Sequence, residues 1–599
     1  MPSSTVVTNE VDLTSFVVTI DGKELPNYVT LVEVDVKKEI NKIPTATIVV
    51  LDGHPADVEF KKTDESDPYK PGKVVKISAG YHQKNMQTLF EGVILSHSGK
   101  INHGDLSEVV MKCVDKAAKM TVVRKSKYFK DSTDSDAISK IIGENGLQKT
   151  VDSTSFTHET MVQFDVTDFD FIITRAESNG LLVVVDDGNV NVVEPKFSDG
   201  PVLTLTYGTD IMRMDLEVDS RFQYDSVVAR GWDFSNNQIQ EASASEPSVN
   251  GQGDLSGKAL AETLGGKELV LNSSAPIETD ALRSWAEGKL LRSRLARIRG
   301  KIAFQGNAAP KPNTLVDLKG VAKHLLGEAF VSGVRHTYRD QDWETEVTIG
   351  LSPLFHTETQ KDLQTPPSSG LMPSVSGLQI GKVQKIHDDP LGENRILVDV
   401  PVIIPSGEGI WARQALMYST SKGNHFWIPE LNDEVILGFL NDDPRFPVIL
   451  GSVPSKKIPG AYTPDDKNTI KAITTVCGQM KIEFEDVKKI ITITTPAGNL
   501  IEINDDQKTI KLQDQHGNKM LMSDKGFSFD TPKDFVVKAT GNIKMESTGK
   551  TEIKATQDFS AEGLNVNTKA SVGNTMKGAT CEVNGSGMTT IKGGLVQIN

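Results

Sequence analysis

The sequence has few cysteines, few aromatic residues and no long apolar run. Three cysteines occur among 599 residues, Cys113, Cys477 and Cys581, and their wide spacing fits neither a disulfide framework nor a set of metal ligands. We expect incidental thiols in a chain made in a reducing cytosol. No stretch of eighteen apolar residues is present, which argues against a membrane-spanning helix. Residues 1–5 show no basic segment followed by an apolar core, so we predict synthesis and assembly in the cytoplasm without a cleaved signal peptide.

Basic charge and catalytic motifs are also scarce. Lys and Arg number 65 against 80 Asp and Glu, for a net charge of -15, which disfavours nonspecific nucleic-acid binding. His158-Glu159 lacks the second His of a metalloprotease, and no G-x-S-x-G elbow or phosphate-binding loop occurs. Four histidines lie in one region at spacings that match no zinc pattern: His54, His82, His97 and His103. The sequence therefore predicts no catalytic residue, no cofactor and no metal site, hence a protein that is not an enzyme.

Short apolar doublets fill the last 120 residues, one every nine or ten positions, with turn sequences between them. The doublets are Ile482/Phe484, Ile491/Ile493, Ile501/Ile503, Ile510/Leu512, Met520/Met522 and Phe527/Phe529. Alternation of this kind predicts short strands with one buried face. Two buried side chains contribute roughly 2 to 3 kcal/mol each, whereas ordering a residue costs about 1 to 2 kcal/mol. Because one chain cannot make such a ribbon stable, these twelve residues are predicted to form the core of a needle shared by several copies.

Two Pro/Ser-rich segments divide the chain, at residues 364–370 and 453–460. They predict a region at 1–365, a domain at 371–455, a connector at 456–479 and the repetitive tail at 480–599. Five short strands are expected in the middle domain, at residues 380–383, 396–400, 409–415, 435–440 and 448–450. This number of strands in about 85 residues fits an OB-like barrel. Its loops carry Asp388, Asp389, Asp442 and Asp443, where a nucleic-acid binder would present basic and aromatic residues.

The region at 1–365 reads as mixed α and β. A strand at 16–20 leads into the turn Asp21-Gly22, and residues 46–50 are predicted as its partner strand. Helices are predicted at 137–142, after N-cap candidates at 131–136, and at 168–177, followed by a strand at 181–185. A third helix, at 281–297, has a basic face that we interpret as solvated: Arg283, Lys289, Arg292, Arg294 and Arg297. Residues 242–257, rich in Ser, Gly and Glu, are predicted to be a mobile loop.

Several strings resemble VgrG, the spike of type VI secretion and related contractile injection systems, over nearly the whole chain. The most specific lie in the middle domain: Trp411-Ala412-Arg413, residues 429–435, Phe439 with residues 442–445, and residues 448–452. Others are residues 89–94, residues 167–181, which look like a hub helix, and residues 331–336, which look like a closing strand. The chain departs from the commonest pattern at Leu431-Asn432 and Pro312-Asn313. Both pairs are predicted turns, where Asn tolerates a left-handed backbone.

The resemblance implies the fold and the partners. The fold would comprise phage-hub-like β-barrel subdomains with helical insertions, an OB-fold barrel and a trimeric β-helix or β-prism needle. The chain would be a homotrimeric hub-spike that caps a hexameric inner tube, contacts baseplate proteins, carries a PAAR-like tip protein and effector cargo, and punctures a target membrane. The tip protein would bind the last residues, Leu595, Val596, Gln597, Ile598 and Asn599. The particle would be delivered to, or released outside, the cell.

Two alternatives stay open at this point. A trimeric receptor-binding fibre or adhesin would share the β-rod but should end in an aromatic-rich head. Aromatic residues make up 6% of the chain and neither Trp nor Tyr follows Tyr462, which disfavours it. The sequence also leaves open whether the machine is a type VI system, an extracellular particle or a phage tail.

Overall fold

The chain is described from a computed structural model, which covers residues 13–53, 60, 63, 68–101, 107–404, 407–477 and 479–598. It is mostly β and divides into two compact units, Met1–Val453 and Pro454–Asn599. Among the described residues, no helix has the length and apolarity needed to cross a membrane.

The first unit begins with a large sheet and its helical insertions. Strands β1 to β12 are Thr14–Ile20, Lys23–Glu24, Leu31–Glu39, Thr45–Leu51, Val74–Tyr81, Lys84–Lys100, Glu108–Val114, Arg124–Thr133, Gln148–Val151, Thr157–Thr167, Leu182–Asp186 and Asn189–Val193. Strands β13 to β21 are Pro201–Thr206, Ile211–Val218, Ser226–Asp233, Gln238–Ser243, Glu268–Asn272, Ile298–Gln305, Thr314–Lys319, Gly327–Arg339 and Asp342–Ile349. Helices α1 to α5 are Asp134–Glu144, Asp168–Ser178, Gly257–Glu262, Thr279–Leu295 and His356–Thr359.

A 13-stranded sheet joins two lobes, each with its own core. The first lobe contains β1 to β7, and the second contains β13, β14 and β18 to β21. They are linked where β20 pairs with β3, from Gly333 opposite Glu39 to Arg339 opposite Glu33. Alternate residues of the strands point inward, so each lobe has an apolar interior, around Ile77 and Phe90 in the first and Phe304 in the second.

The predicted pairing of residues 16–20 with 46–50 is wrong, although both segments are strands. β1 pairs with β2 across the Asp21-Gly22 turn and with β5 over seven residues, whereas β4 pairs with β3 and β7. The turn forms a hairpin of only two residue pairs, followed by one hydrogen bond of 2.9 Å from the N–H of Leu25 to the carbonyl of Val18. The other edge of β1 pairs with β5. Because β5 is distant in sequence, the residues of the local turn cannot predict this pairing.

Helices α1 and α2 form where the sequence predicts them. Thr133 and Thr167 are their N-caps, and each side chain accepts a hydrogen bond from the backbone N–H three residues later. Both helices pack on the three-stranded sheet of β9, β11 and β12 and on the two-stranded ribbon of β8 and β10. The strand predicted at 181–185 is β11.

Arg283 is exposed as expected, but the rest of the basic face of α4 is not a solvated surface, which corrects the interpretation made from the sequence. Lys289 and Arg294 are 5% and 2% exposed. Arg294 donates two hydrogen bonds, of 2.6 and 2.9 Å, to Glu246, and Arg292 donates one of 2.6 Å to Glu177. The spacing of residues along a helix shows which side chains share a face. It does not show whether carboxylates from distant segments cover that face, so the sequence did not predict the burial of Lys289 and Arg294.

The segment at 242–257 is held in place, so the prediction of a mobile loop is wrong. Besides the Glu246–Arg294 pair, Arg297 donates hydrogen bonds of 2.9 and 2.8 Å to the carbonyls of Asn250 and Gln252. Asn250 and Gln252 are buried, and Ser256 caps α3. Polar composition predicts solvent exposure, but here polar groups of the segment bond to the buried Arg294 and the partly buried Arg297.

Residues 379–452 form a closed five-stranded barrel, which confirms the predicted strands of the middle domain. Strands β22 to β28 are Gln379–Lys385, Ile396–Asp399, Ile410–Gln414, Ser419–Thr420, Gly423–Asn424, Glu434–Phe439 and Pro447–Ser452. The barrel order is β22-β23-β24-β28-β27, and β25 with β26 forms a separate hairpin. The core is small and aliphatic, and includes Val398, Val435 and Leu437.

The second unit contains a seven-stranded antiparallel meander in which every strand pairs with the next. Strands β29 to β35 are Ile470–Thr474, Lys481–Glu485, Ile490–Thr494, Leu500–Asn504, Thr509–Gln513, Lys519–Ser523 and Gly526–Asp530. β29 lies within the range predicted as a connector. The meander strands account for every doublet predicted from the sequence, and each segment between two strands contains Gly, Asn or Asp.

We predict that Asp134→Asn lowers the free energy of unfolding of the first unit by about 2 kcal/mol, because it leaves the Arg175 guanidinium without its counter-ion. Arg175 donates hydrogen bonds of 2.6 and 2.9 Å to Asp134, whose side chain is 3% exposed. Chemical denaturation would measure the change. Asp131→Asn is the matched control, since Asp131 is exposed and Asn also tolerates its positive φ of 46°. An equal loss in both variants would contradict the assignment.

The same pair predicts a pH dependence. Burial alone would raise the pKa of Asp134, but the hydrogen bonds and charge of Arg175, with help from Asn179, outweigh burial and hold the pKa below its ordinary value. The contribution of the Asp134–Arg175 pair to the free energy of unfolding is therefore complete above the pKa of Asp134 in the unfolded chain, about 4. This contribution is lost as the pH falls through the lower pKa of Asp134 in the folded chain. The stability gap between wild type and Asp134→Asn should accordingly narrow in acid.

The meander register makes a second prediction. Glu502 lies directly opposite Lys511, so Glu502→Lys places two lysines opposite each other. We expect amide exchange in β32 and β33 to quicken by about two- to threefold, the size of a cross-strand charge effect. The double swap Glu502→Lys/Lys511→Glu should restore the original rate, measured by hydrogen-exchange mass spectrometry. A double swap no slower than the single variant would rule out this register.

Candidate assembly surface of the tail

The twelve predicted needle residues lie on one face of the meander, in two continuous rows across the strands. The first row runs Ile482, Ile493, Ile501, Leu512, Met520 and Phe529; the second runs Phe484, Ile491, Ile503, Ile510, Met522 and Phe527. Each member lies directly opposite the next one, so the side chains of a row contact each other along the sheet. The structure thus brings together all the residues singled out from the sequence.

The two rows remain open to solvent in the single chain. Ile493 and Ile501 are 41% and 42% exposed, and the two phenylalanines of β35 are more exposed still, Phe527 at 52% and Phe529 at 57%. None of the twelve is buried. With strands about 4.8 Å apart and residues about 3.4 Å apart, the sheet measures roughly 30 by 17 Å. An open apolar face of that size marks an interaction surface, because soluble monomers rarely leave one uncovered.

The opposite face of the meander is polar along its middle. Its central row runs Ala472, Glu483, Thr492, Glu502, Lys511, Leu521 and Ser528. Acidic and basic residues therefore face away from the apolar rows, and the sheet has one face for water and one for a partner.

One apolar residue of the first row was missed from the sequence. Ile473 of β29 lies opposite Ile482 and extends that row by one strand. Its neighbour Ile470 is three positions away rather than two, so the segment lacks the doublet by which the other strands were recognised. A strand is visible in the sequence only when its apolar residues keep the period of two.

Polar side chains tie successive turns together along one edge of the meander. The Oδ1 atom of Asn499 accepts a hydrogen bond of 3.1 Å from the backbone N–H of Gln515, two strands away. Asn518 accepts one of 2.6 Å from the hydroxyl of Thr531 in the same way. Each of these bonds links two turns that are two strands apart. The register of the sheet is therefore set within a single chain.

Residues 531–598 have a different backbone pattern. Bends recur at 532–533, 540–541, 548–549, 556–557, 564, 571–572, 579, 586–587 and 594–595. The period is therefore close to eight residues, not the nine or ten expected throughout the tail. Between bends the backbone is not helical, and no pairing of strands is present within these described residues. Every side chain from Lys533 to Ile598 is exposed.

The predicted tip-binding residues are exposed at the last bend. Leu595 and Ile598 are 85% and 86% exposed, and Val596 is 48% exposed. Gln597 is also exposed, whereas Asn599 lies outside the described residues. The predicted apolar end is thus accessible in the single chain.

Of the four histidines noted in the sequence, the structure describes His82 and His97. His97 contacts the carbonyl of Tyr69 through Nδ1 at 2.9 Å, and His82 occupies a turn with a φ of 52°. His54 and His103 lie outside the described residues. Over the part of the chain that the structure describes, no three His, Cys, Asp or Glu side chains are placed to hold a metal ion.

The sequence motifs of the barrel that resemble VgrG lie in its strands and turns. Trp411-Ala412-Arg413 is in β24, and Ala412 belongs to the barrel core. Asp443 accepts two hydrogen bonds from Arg445, of 3.0 and 2.7 Å, and these bonds lower its pKa. Asp389 is held by Arg395 in a similar way. The loop carboxylates therefore shape turns of the barrel.

The two departures from the commonest pattern adopt the conformation expected of them. Asn313 and Asn432 have φ angles of 69° and 72°, so both occupy the left-handed region. Asn tolerates this region better than other residues with a Cβ atom, which is why it can stand where Gly is usual.

Two family descriptions match the sequence. Residues 10–340 match the Alg8 N-terminal domain, and this range is more than half of the chain. Residues 379–453, which contain the closed barrel, match the type VI secretion system/phage-baseplate injector OB domain. No curated protein matches the chain.

Several solved structures are similar at low identity. The prophage MuSo2 43 kDa tail protein from Shewanella oneidensis is 13% identical, over 57% of this chain and 98% of that chain, with a TM-score of 0.43. A tail protein from Neisseria meningitidis MC58 is 16% identical over the same shares, with a TM-score of 0.42. The lidded Francisella PdpA-VgrG complex contains a chain that is 11% identical, over 87% of this chain and 81% of that chain, with a TM-score of 0.37.

The match of the injector OB domain falls on the barrel whose strings suggested the resemblance, and it confirms that resemblance. By its match over residues 10–340, the chain belongs to the family of the Alg8 N-terminal domain, and its barrel matches the type VI secretion system/phage-baseplate injector OB domain.

Proposed function

We propose that this chain is the structural hub-spike of a contractile injection machine, and that three copies assemble so that their tails form one needle. The two open apolar rows of the meander carry the proposal. A face of this kind needs a partner of equal length and the same two-row width, and a second copy of the same sheet has both properties.

Covering the rows supplies the free energy that a single tail lacks. Each large apolar side chain contributes roughly 1.5 to 3 kcal/mol when it passes from full exposure to burial. Since the row side chains are already about half covered in the single chain, assembly gains about half of that amount for each. Summed over twelve side chains, the gain is large enough to hold the chains together permanently.

The number three comes from the resemblance to spike proteins, since a two-copy sandwich would also cover the rows. Three sheets around one axis make a triangular prism with an apolar interior and the polar faces outside. This arrangement gives a narrow, stiff rod, which suits a part that is pushed through an envelope. The mass of the assembly separates the two arrangements.

Residues 531–598 support the same assembly through their backbone. A segment without strand pairing within the chain leaves N–H and C=O groups without intramolecular partners. Three copies wound together, with a bend about every eight residues, would pair each extended stretch with its neighbours and leave no free strand edge. Tail residues beyond the meander would thus form a triple-stranded β-helix.

The remaining roles are proposed from the resemblance to VgrG-like spike proteins. The first unit would form the hub, which caps a hexameric inner tube and contacts baseplate proteins. The exposed end at Leu595, Val596, Gln597 and Ile598 would bind a PAAR-like tip protein, and the particle would carry effector cargo through a target membrane. It would be assembled in the cytoplasm and act outside it. The role assigned here is mechanical, with no catalytic step.

We expect Ile493→Lys to abolish trimers, because it would place three ammonium groups in the apolar interior of the needle. Wild type should have three times the 65.2 kDa chain mass by light scattering, whereas the variant should have the mass of one chain. Thr492→Lys is the matched control. Thr492 lies on the polar face between Glu483 and Glu502, where a lysine is favourable. A monomeric wild type, or trimers of Ile493→Lys, would contradict the proposal; a wild-type dimer would support the sandwich instead.

Hydrogen exchange tests the second part of the tail. In the assembled chain, amides at 531–598 should be protected at least about a hundredfold, since each is then bonded to another copy. In monomeric Ile493→Lys, the same amides should exchange at the rate of an unstructured peptide, while those of the meander stay partly protected. Full protection of 531–598 in the monomer would show that another copy is not required.

A further inference from the structure

A groove of about 870 Å³ crosses the helical part of the first unit. It is lined by one face of α2, by residues 156–160 at the start of β10, and by side chains of residues 272–285, a segment that ends β17 and begins α4. Protein pockets of about 300 to 1,000 Å³ hold whole ligands. The groove therefore has room for a short segment of another chain.

The side of the groove formed by β10 is a strand edge. All five residues from 156 to 160 line the groove, whereas one face of a strand would contribute only alternate residues. On its other edge β10 pairs with β8, from Thr157 opposite Thr133. Within the described part of the chain, no backbone hydrogen bond joins residues 156–160 to any segment other than β8. The outer N–H and C=O groups of this stretch therefore face the groove without a backbone partner.

Apolar side chains line the same groove. Phe156, Ile277 and Trp285 are all partly buried, so each keeps some surface open to the groove. The side chains of an extended segment point alternately to its two sides, and every second one would pack on this surface. The groove thus offers contacts to side chains as well as to a backbone.

Two carboxylates without counter-ions make the groove acidic. Glu159 and Glu278 are exposed, and neither forms an ion pair with any residue that the structure describes. Asp134 and Arg175 also line the groove but neutralise each other, with an N–O distance of 2.6 Å. The remaining titratable side chain is that of His158, whose Nε2 lies 3.3 Å from Asp134. Even with this histidine protonated, the negative charge exceeds the positive charge, which favours Lys and Arg in a ligand.

We infer that this groove binds a basic, extended segment of a partner protein, which adds to β10 as a third strand of the ribbon. Strand addition supplies main-chain hydrogen bonds to the open edge, while alternate side chains give specificity. A small molecule has no row of donors and acceptors at strand spacing, so the open edge favours a peptide. This inference goes beyond the proposed hub-spike role. Since the groove lies within the first unit, it does not depend on the number of copies.

Short peptides selected from a random display library on the full-length protein are the probe. They should be rich in Lys, Arg and β-branched residues and poor in Pro. Glu159→Lys/Glu278→Lys should weaken their binding at least about tenfold by fluorescence anisotropy, because two attractions become repulsions. Glu24→Lys/Glu262→Lys is the matched control, since both residues are exposed, lie outside the groove and change the net charge equally. It should leave the affinity within about twofold of wild type.

The backbone of the bound peptide gives a second readout. Alternate N–H groups of an added strand point at its neighbour, and the others point away. Methylation of one peptide nitrogen at a time should therefore abolish binding at every second residue and be tolerated at the residues between. The bound peptide should also slow amide exchange within residues 156–160 by about tenfold, measured by hydrogen-exchange mass spectrometry.

Several outcomes would overturn the inference. These are selection of no basic peptide, equal weakening by the two double variants, sensitivity to methylation without a period of two, and protection confined to other segments. Selected peptides that match a segment of this chain would identify a second copy as the occupant instead. Monomeric Ile493→Lys should bind the peptides as wild type does. A wild type that proves monomeric would therefore contradict the trimer and leave peptide binding unchanged.

Discussion

The structure of the tail depends on one constraint, which is that backbone hydrogen bonds and apolar side chains must both find partners. In the meander the backbone bonds are made within the chain, strand to next strand, but the two rows of apolar side chains are left open. Beyond residue 530, the described chain makes neither strand pairs nor a buried core. In the proposed trimer, dependence on other copies thus increases along the tail, and assembly is part of folding.

The first unit satisfies the same constraint internally, with buried charges as well as apolar cores. Arg294 with Glu246, Arg292 with Glu177 and Lys289 with Glu358 connect α4 to three separate segments. Such pairs contribute little net stability when desolvation is counted, but losing one partner is costly. They therefore fix where the 242–257 segment and the short α5 helix lie.

The sequence was most informative where a structure is local and periodic. The doublets identified the tail strands and their shared face, the five barrel strands followed from alternation and turns, and the N-cap candidates at residues 131–136 marked the start of α1. Prediction failed where the deciding partner is distant in sequence. β5 takes the edge of β1, Glu246 covers Arg294, and Ile473 joins a row although its own strand lacks the period. The change from a period near ten to one of eight was also missed, because residues after 530 become smaller and their doublets irregular.

In the proposed trimer, the two parts of the tail have different tasks because of what each can do alone. The meander has its register set in a single chain by strand pairing and by the bonds of Asn499 and Asn518 across the turns. It can therefore present a complete apolar face before any other copy arrives. Residues 531–598 have no register until neighbours supply it, and many shifted pairings of a repetitive segment have similar energies. When three preformed meanders associate, the segments that follow them in the three copies start at the same level. The register between these segments is therefore determined by the meander that precedes them.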